Sequence, residues 1–271
     1  MQSWLSGRRR TTGNRVRAET LPGFESLTLR IPLRQLSGSE VFILFLFGGD
    51  MDLFDIIGPV MIGPSSSHTA GAARIGLMAR IILGDEVVHA EVGFHGSFAK
   101  TFHGHGTDRA IASGLMGFAV DDPRMRDALN IAEQAGMKIH FYPVAIRGAH
   151  PNTVRLSLVG AGGKTLEMEA ASVGGGNIRI RKLDGLPVDF TGTENTMIVQ
   201  HHDEPGVIAL VTGALASDRI NIATMQVYRH KLGGTAVMIL ELDGVPEEAT
   251  IEQIRSEPGV KSVHFLHRRM G

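Results

Sequence analysis

The C-terminal segment, residues 196–271, has the element order that most constrains the fold. Alternating apolar residues predict strands, and apolar residues at helical spacing predict helices. The predicted strands are residues 196–202, 221–230, 235–242 and 259–266, and the predicted helices are residues 207–217 and 246–256. A turn at Lys231, Leu232, Gly233 and Gly234 joins the second strand to the third. This β-α-β-β-α-β order predicts a ferredoxin-like fold.

The preceding residues, 52–186, mix helical and strand patterns. The predicted helices are residues 70–83, 107–118 and 122–136; the predicted strands are residues 88–94, 138–144, 153–159, 164–170 and 177–183. A glycine-punctuated loop is predicted over residues 96–106. Pro187, Gly192 and polar neighbours predict a linker over residues 187–195. The whole is therefore predicted as two α+β domains, residues 52–186 and 196–271.

Residues 1–50 differ from the rest because arginines crowd an acid-poor start without a periodic apolar pattern. Their apolar run, residues 41–47, is far shorter than the ~20 residues that a membrane span needs. We expect translation to begin at Met51, which would make residues 1–50 a mis-assigned extension.

Charge and cysteine content exclude several classes of function. The formal net charge is −1, so no strong field attracts nucleic acid or an anionic membrane. The chain has no cysteine, which excludes disulfides and any thiolate-ligated metal built from this chain alone. An intracellular, cytoplasmic setting fits this composition.

The strongest candidate site is a hydroxyl–histidine cluster at the predicted start of the first helix, formed by Ser65, Ser66, Ser67, His68 and Thr69. Free N–H groups and the helix dipole favour an anion at such a position. The hydroxyls add donors for a carboxylate or phosphate, and the imidazole can hold or move a proton near neutral pH. Helix capping, the alternative, needs only one of these serines. We therefore predict an anion-binding role.

A second candidate is the glycine-rich stretch at residues 96–108, which contains His103, His105, Thr107 and Asp108. Glycines allow the main chain to approach a ligand closely. Two histidines alone do not make a metal site, and no further ligand is identifiable nearby. We predict substrate contact for His105, with helix capping by Thr107 and Asp108 as the alternative. No metal is predicted to be held by this chain alone.

Several motifs together resemble the β chain of two-chain bacterial iron–sulfur L-serine dehydratases. The motifs are FDIIGPVMIGPSSSHTAG at 54–71, HGSF at 95–98, GHGTD at 104–108, HPNTVR at 150–155 and SVGGG at 172–176. The resemblance extends over essentially all of residues 52–271. It also implies that residues 52–186 adopt the allosteric-substrate-binding fold found in some phosphoglycerate dehydrogenases.

The resemblance implies a reaction. L-serine loses water, and the resulting aminoacrylate hydrolyses to pyruvate and ammonia. A [4Fe–4S] cluster held by cysteines of a partner α chain acts as Lewis acid on the departing hydroxyl.

The resemblance also assigns roles to residues. Substrate binding falls to Ser65, Ser66, Ser67, Thr69, Thr107, Asp108 and Asn152. His68 is the candidate for proton handling, with His105 second, and the base could instead lie on the α chain.

Residues 196–271 resemble an ACT domain, a module in which amino acids often bind between paired domains. The implied ligand residues are Asp203, Glu204, Pro205, Gly206 and Val207, with Asn221 and Ile222 expected nearby at the start of the second strand. The implied partner is a second copy of the chain. The alternative is a dimerisation domain that binds nothing, since fold alone does not determine function.

Two rival functions remain at this stage. A pyridoxal-phosphate dehydratase would use Lys100 with the glycines at 174–176, but too little chain remains for that larger fold. A non-enzymatic amino-acid sensor that regulates a partner would also fit the ACT-like segment and the hydroxyl–histidine cluster.

Overall fold

A computed structural model describes residues 65–268 of the chain. The helices of this range are α1 Gly71–Leu83, α2 Gly96–His105, α3 Thr107–Leu115, α4 Ala128–Gln134, α5 Val207–Ser217 and α6 Glu248–Ser256. The strands are β1 Val87–Phe94, β2 Lys138–Pro143, β3 Thr153–Gly160, β4 Thr165–Gly174, β5 Asn177–Leu183, β6 Leu186–Phe190, β7 Asn195–His202, β8 Ile222–Arg229, β9 Thr235–Leu242 and β10 Val260–Leu266. The predicted extension, residues 1–50, and residues 52–64 of the first predicted domain lie outside this range.

The first domain is built on a sheet in which the described strands run in the order β2-β1-β3-β4-β5-β6. β1 and β2 are parallel, and the other neighbours are antiparallel. On β3, Val154, Leu156 and Leu158 are buried at alternate positions, so one face of the sheet is covered. Helices α1 and α3 pack against each other, and α1 also packs on β4 and β5.

Two glycines allow α1 and α3 to approach closely. A Cβ added to Gly114 would lie 2.2 Å from the carbonyl oxygen of Ala73, and one added to Gly76 would lie 2.5 Å from that of Ile111. Both distances are below van der Waals contact, so a larger side chain at either position would push the helices apart.

The prediction of a loop at residues 96–106 is wrong, because residues 96–105 form helix α2. Phe98 and Phe102 lie four residues apart on its inner side, and both contact the ring of Phe94 from β1. Burial of this aromatic cluster favours the helix despite its glycines. Gly96, with φ 59°, lies against the backbone of Pro151, where a Cβ would not fit.

The predicted linker, residues 187–195, is wrong in its first half, because strand β6 spans Leu186–Phe190. Leu186, Val188 and Phe190 are buried at alternate positions and extend the first sheet through β5. Pro187 is tolerated because β6 is the last strand of this sheet, where an N–H group is not required on the outer side.

The second domain has the predicted β-α-β-β-α-β order, and its strands lie in the order β10-β7-β9-β8, all antiparallel. Helices α5 and α6 cover one face of this sheet. Met197 and Val199 on β7 pack with Val211 and Leu215 on α5. The predictions of an α+β fold and of a ferredoxin-like second domain are confirmed.

The opposite face of the second sheet packs on the first domain. Ile198 on β7 and both Val237 and Ile239 on β9 belong to the hydrophobic core of the first domain, whereas their neighbours Met197 and Met238 belong to the core under α5 and α6. The central strands are therefore buried on both faces, which explains why their apolar residues are continuous along the sequence.

Candidate functional site

Four segments that are distant in the sequence meet at the start of α1. The backbone N–H of His95, just after β1, donates to the carbonyl of Thr153 at 2.9 Å, and that of Ser97 donates to Pro151 at 2.8 Å. The N–H of Ser172 on β4 donates to the carbonyl of Asn152 at 3.0 Å. Ser172 also packs against Gly71, the first residue of α1, where a Cβ would meet its hydroxyl.

The hydroxyl–histidine cluster lies at this junction. Ser65 caps a π-helical turn, Ser66–Ala70, that leads directly into α1. Its hydroxyl accepts from the backbone N–H of His68 at 3.2 Å. The predicted capping alternative therefore accounts for Ser65 and leaves Ser66, Ser67 and Thr69 without a capping task.

His68 lies between two serine hydroxyls. Its Nδ1 is 3.3 Å from the Oγ of Ser65, and its Nε2 is 3.2 Å from the Oγ of Ser97. In a neutral imidazole one nitrogen donates and the other accepts. The two serines can satisfy either tautomer, because a hydroxyl both donates and accepts.

Two aromatic rings complete the surroundings of His68. The ring centroids of Phe98 and His105 lie 5.2 and 4.9 Å from its own, both with edge-on geometry. Burial lowers the pKa of His68, and the charge of nearby His105 lowers it further. Both effects favour a neutral imidazole near neutral pH, which is the form that accepts a proton.

The other predicted hydroxyls of the site differ in burial. Ser66 and Ser67 are half-buried. Thr69 and Thr107 are buried, and neither hydroxyl has a hydrogen-bond partner within residues 65–268. The prediction that Thr107 caps α3 is wrong, because Gly106 occupies the cap position and Thr107 is the first residue of the helix. Burying an unpaired hydroxyl is costly, so both are candidate donors to a ligand.

Asp108 makes a pair with His103. Its carboxylate is buried, and one oxygen lies 2.9 Å from the Nδ1 of His103. The other oxygen accepts from the backbone N–H of Arg109 at 2.8 Å. Asp108 thus orients His103, and its predicted contact with substrate stays a prediction.

Asn152 lies beside the junction through its backbone. Besides accepting from Ser172, it donates its N–H to the Nδ1 of His150 at 3.2 Å. Its side chain is half-buried.

Ser97 is a site residue that the sequence analysis did not single out. It stands in the HGSF motif, but the stretch was predicted as a loop, where a single serine carries little information. Assignment of α2 as a helix would have placed Ser97 in its first turn, but its position beside the start of α1 depends on the tertiary structure.

The predicted ligand residues of the second domain fall into two groups. Asp203 accepts from Arg229 at 2.7 Å and from the N–H of Gly233 at 3.1 Å. The hydrogen bond from Arg229 is the main cause that lowers the pKa of Asp203. Glu204, Pro205 and Gly206 are exposed, and buried Val207 begins α5.

The expectation that Asn221 and Ile222 lie near residues 203–207 is wrong within one chain. Leu242 on β9 pairs with Ile222, the first residue of β8, on one side and with Asn195, the first residue of β7, on the other. Ile222 therefore lies at the end of the sheet where β7 begins. Residues 203–207 follow the other end of β7. The two groups are therefore separated by the length of the sheet, because β7 and β8 run in the same direction on either side of β9. Asn221 instead donates to Asp243 at 2.5 Å.

Neither a metal cluster nor a membrane span is evident within residues 65–268. No group of three or more His, Asp or Glu side chains is arranged to hold a metal ion there. In the same range, no helix combines the length and apolar character needed to cross a bilayer.

Comparison with known families gives two matches. The family described as serine dehydratase beta chain matches residues 51–137, and the family described as ACT domain matches residues 196–259.

Individual relatives extend the similarity over most of the chain. A probable L-serine dehydratase beta chain of Bacillus subtilis (strain 168) is 43% identical over 211 residues, which cover 78% of this chain and 96% of that one. The L-serine dehydratase beta chain of Peptoniphilus asaccharolyticus is 35% identical over 195 residues, 72% of this chain and 88% of that one. A D-3-phosphoglycerate dehydrogenase of Bacillus subtilis (strain 168) is 27% identical over 196 residues, which are 72% of this chain and 37% of that protein.

Proposed function

This chain belongs to the serine dehydratase β-chain family, and from that premise we propose that it is the β subunit of an L-serine dehydratase, active as a lyase with an α chain. The pair would remove water from L-serine, and hydrolysis of the resulting aminoacrylate would release pyruvate and ammonia. The observation that carries this proposal is the contact of His68 with Ser65 and Ser97 at a junction of four distant segments.

The proposal requires a cofactor that this chain does not hold. A [4Fe–4S] cluster is ligated by thiolates, and this chain has no cysteine, so the donor set present here does not fit the cluster. We therefore assign the cluster to the α chain, where it would supply a Lewis acid for the departing hydroxyl.

The residues of this chain would bind the substrate and handle a proton. The Ser66, Ser67, Thr69 and Thr107 hydroxyls are donors suited to a substrate carboxylate. Burial and the nearby His105 lower the pKa of His68, which favours its neutral form. Both ring nitrogens are hydrogen-bonded to serine hydroxyls, so a proton accepted at one nitrogen can be matched by one released from the other. This arrangement suits removal or relay of the α-proton.

The second domain would bind an amino acid and pair with a second copy of the chain. β8 is an edge strand of its sheet in the described range. Met225 and Val227 pair with Leu240 and Met238, whose side chains face α5 and α6, yet Met225 and Val227 are 43% and 37% exposed. Helices α5 and α6 therefore do not cover β8, and Met225 and Val227 form an exposed apolar strip on an unpaired edge strand. Such a strip is suited to contact with a second copy of the chain.

Mass in solution tests the pairing. Met225→Asp should convert a dimer of the purified chain to a monomer, because it places a charge on the proposed interface, whereas Leu232→Asp in the exposed β8–β9 turn should leave the dimer intact. A wild-type monomer, or a dimer that survives Met225→Asp, would contradict the proposal.

The decisive experiment for the catalytic role is reconstitution. The chain would be co-expressed with its α partner, purified without oxygen and assayed for pyruvate from L-serine, with each chain alone as a control. Activity should require both chains and should fall at least ~100-fold in His68→Gln, as expected for loss of a proton-handling group. His230→Gln, which changes an exposed histidine of the second domain, should keep full activity.

Other outcomes would change the proposal in defined ways. Equal activity of His68→Gln and the wild type would remove the role of His68 and keep the subunit assignment. A cluster-loaded pair that forms no pyruvate would favour an amino-acid sensor, a function that the ACT-domain match at residues 196–259 also suits.

A further inference from the structure

A large cleft lies between the two domains, at the far end of α1 from the hydroxyl–histidine cluster. Its volume is about 610 Å³, within the range of small-molecule sites. The first domain contributes Gly84 after α1, Lys164 before β4 and Asp184 after β5; the second contributes Gln200 on β7, Arg255 on α6, and Lys261 and His264 on β10.

Positive charge predominates in this interdomain cleft. Lys164, Lys261 and Arg255 line it together with one lining carboxylate, that of Asp184, and Arg255 is paired with Glu252 on α6. The excess positive charge therefore comes from the two lysines. Each oxygen of Asp184 already accepts a hydrogen bond, one from Gln200 at 2.5 Å and the other from the N–H of Glu167 at 2.9 Å.

The two lysines contact neutral groups. Lys164 donates to the carbonyl of Gly84 at 2.9 Å, and Lys261 donates to the hydroxyl of Thr235 at 2.6 Å. Neither ammonium forms an ion pair with any carboxylate of residues 65–268. Each therefore retains its charge and further N–H donors for an anion.

The pKa of His264 responds to the positive charges of the cleft. Burial is the main cause that lowers its pKa to about 4, and the charges of Lys164 and Arg255 lower it further, while Asp184 opposes them. The imidazole is neutral at pH 7, so it offers a hydrogen-bonding group at the wall without adding charge.

We propose that the interdomain cleft binds a small organic or inorganic dianion that carries carboxylate or phosphate groups. A ligand there would contact basic residues of both domains. It would also touch the C-terminal end of α1, a helix of about 20 Å that begins directly after the π-helical turn containing His68. The cleft is thus suited to an effector, and it shares no residue with the hydroxyl–histidine cluster or with residues 203–207.

Direct binding to the purified full-length chain tests this site independently of catalysis. Calorimetric titrations at low ionic strength would use succinate and inorganic phosphate as probes, with uncharged succinamide as the neutral control. At least one of the two anions should bind and succinamide should not. The anion that binds identifies carboxylate or phosphate as the ligand group.

Matched lysine variants locate the site. Lys164→Gln and Lys261→Gln should each weaken binding by about fivefold or more, because each removes a charge-assisted hydrogen bond. Lys138→Gln, which changes an exposed lysine on β2 at the opposite edge of the first sheet, should bind like the wild type. Thermal unfolding of each variant would verify that it is folded.

His264 supplies a second, local readout. A bound anion should raise the pKa of this imidazole, because negative charge stabilises the protonated ring against Lys164, Arg255 and Lys261. NMR titration of its Cε1 proton, assigned with His264→Asn, would measure the change with phosphate, which still carries a negative charge near pH 4. The proposal is overturned if neither anion binds, if Lys138→Gln weakens binding as much as Lys164→Gln, or if binding leaves the pKa of His264 unchanged.

Discussion

At the scale of the residue, the neighbours of His68 determine its orientation and its protonation state. Its two ring nitrogens contact hydroxyls from Ser65, three residues away, and Ser97, on another helix. Phe98 and His105 cover its ring. The imidazole is therefore held in orientation and biased towards its neutral form, which are the two requirements of a general base.

His105 is predicted to control this bias. His105→Gln removes a positive charge near His68, so the pKa of His68 should rise, and the acid limb of any reaction that needs its neutral form should move to higher pH. NMR titration of the His68 Cε1 proton would measure the pKa of His68 in each variant. His103→Gln is the matched control, because His103 pairs with Asp108. The prediction would be contradicted if the pKa of His68 falls or stays unchanged in the His105→Gln variant, or if it rises equally in the His103→Gln control.

At the scale of the element, the contact between α1 and α3 positions the candidate site, because the turn that contains His68 leads directly into α1 and α3 begins at Thr107. The two helices meet at Gly76 and Gly114, where backbone lies against backbone. A change in this contact would displace both ends of the site together.

Gly114→Ala is predicted to destabilise the chain. Alanine favours a helix over glycine by ~1 kcal/mol, but the new Cβ would lie 2.2 Å from the carbonyl oxygen of Ala73. Overpacking of this kind costs roughly 1–3 kcal/mol, and backbone cannot move aside as a side chain can. The free energy of unfolding, measured with urea, should therefore fall.

Gly104→Ala provides the comparison for this prediction. Gly104 is an exposed residue of α2, and a Cβ there meets nothing within 4 Å. The same substitution should raise the free energy of unfolding by up to ~1 kcal/mol. A Gly114→Ala variant as stable as Gly104→Ala would show that the helix contact is looser than the structure indicates.

The two elements whose assignment from sequence was wrong share a physical cause. Residues 96–105 contain two glycines and two histidines, which favour a loop locally, yet burial of Phe98 and Phe102 against Phe94 makes them a helix. Residues 186–190 contain Pro187, yet pairing with β5 makes them a strand. In both cases contacts with distant residues outweigh local propensity.

At the scale of the whole molecule, the second sheet joins the two domains by burying its outer face on the first. His264 lies at the edge of this contact, 3.2 Å from where a Cβ of Gly84 would be. We therefore expect protonation of His264 in acid to destabilise the contact between the two domains.

The sign of that effect follows from the pKa of His264. It is about 4 in the folded chain against 6.5 for a free histidine, so between these values the unfolded chain binds more protons. Above pH 6.5 His264 is neutral in both states and does not reduce the free energy of unfolding. As the pH falls from 6.5 towards 4, the unfolded chain gains a proton that the folded chain does not bind, so the free energy of unfolding decreases. At pH 5 the loss amounts to ~2 kcal/mol relative to pH 7.

Urea unfolding at pH 7 and at pH 5 checks this prediction. His264→Asn should lose less stability than the wild type between the two pH values, by ~2 kcal/mol, whatever its absolute stability. His230→Asn, at an exposed position, should show the wild-type difference. An equal loss in wild type and His264→Asn would show that this imidazole is not responsible for the acid sensitivity.

The amino-acid sequence by itself determined the elements of the second domain and the hydroxyl–histidine cluster at the start of α1. Strand β9, for example, spans residues 235–242 as predicted, and Ser65 caps the turn that leads into α1. Periodicity and capping are local properties, so a single sequence carries them.

Only the tertiary structure decided which distant residues meet. It brings Ser97 to His68, 29 residues away in the sequence, and it separates Ile222 from Asp203 by the length of a sheet. It also brings Lys164 and Lys261 to one cleft. These placements depend on strand order and on the packing of one domain against the other. Side-chain periodicity contains neither, because the same pattern of apolar residues is compatible with many arrangements of the elements.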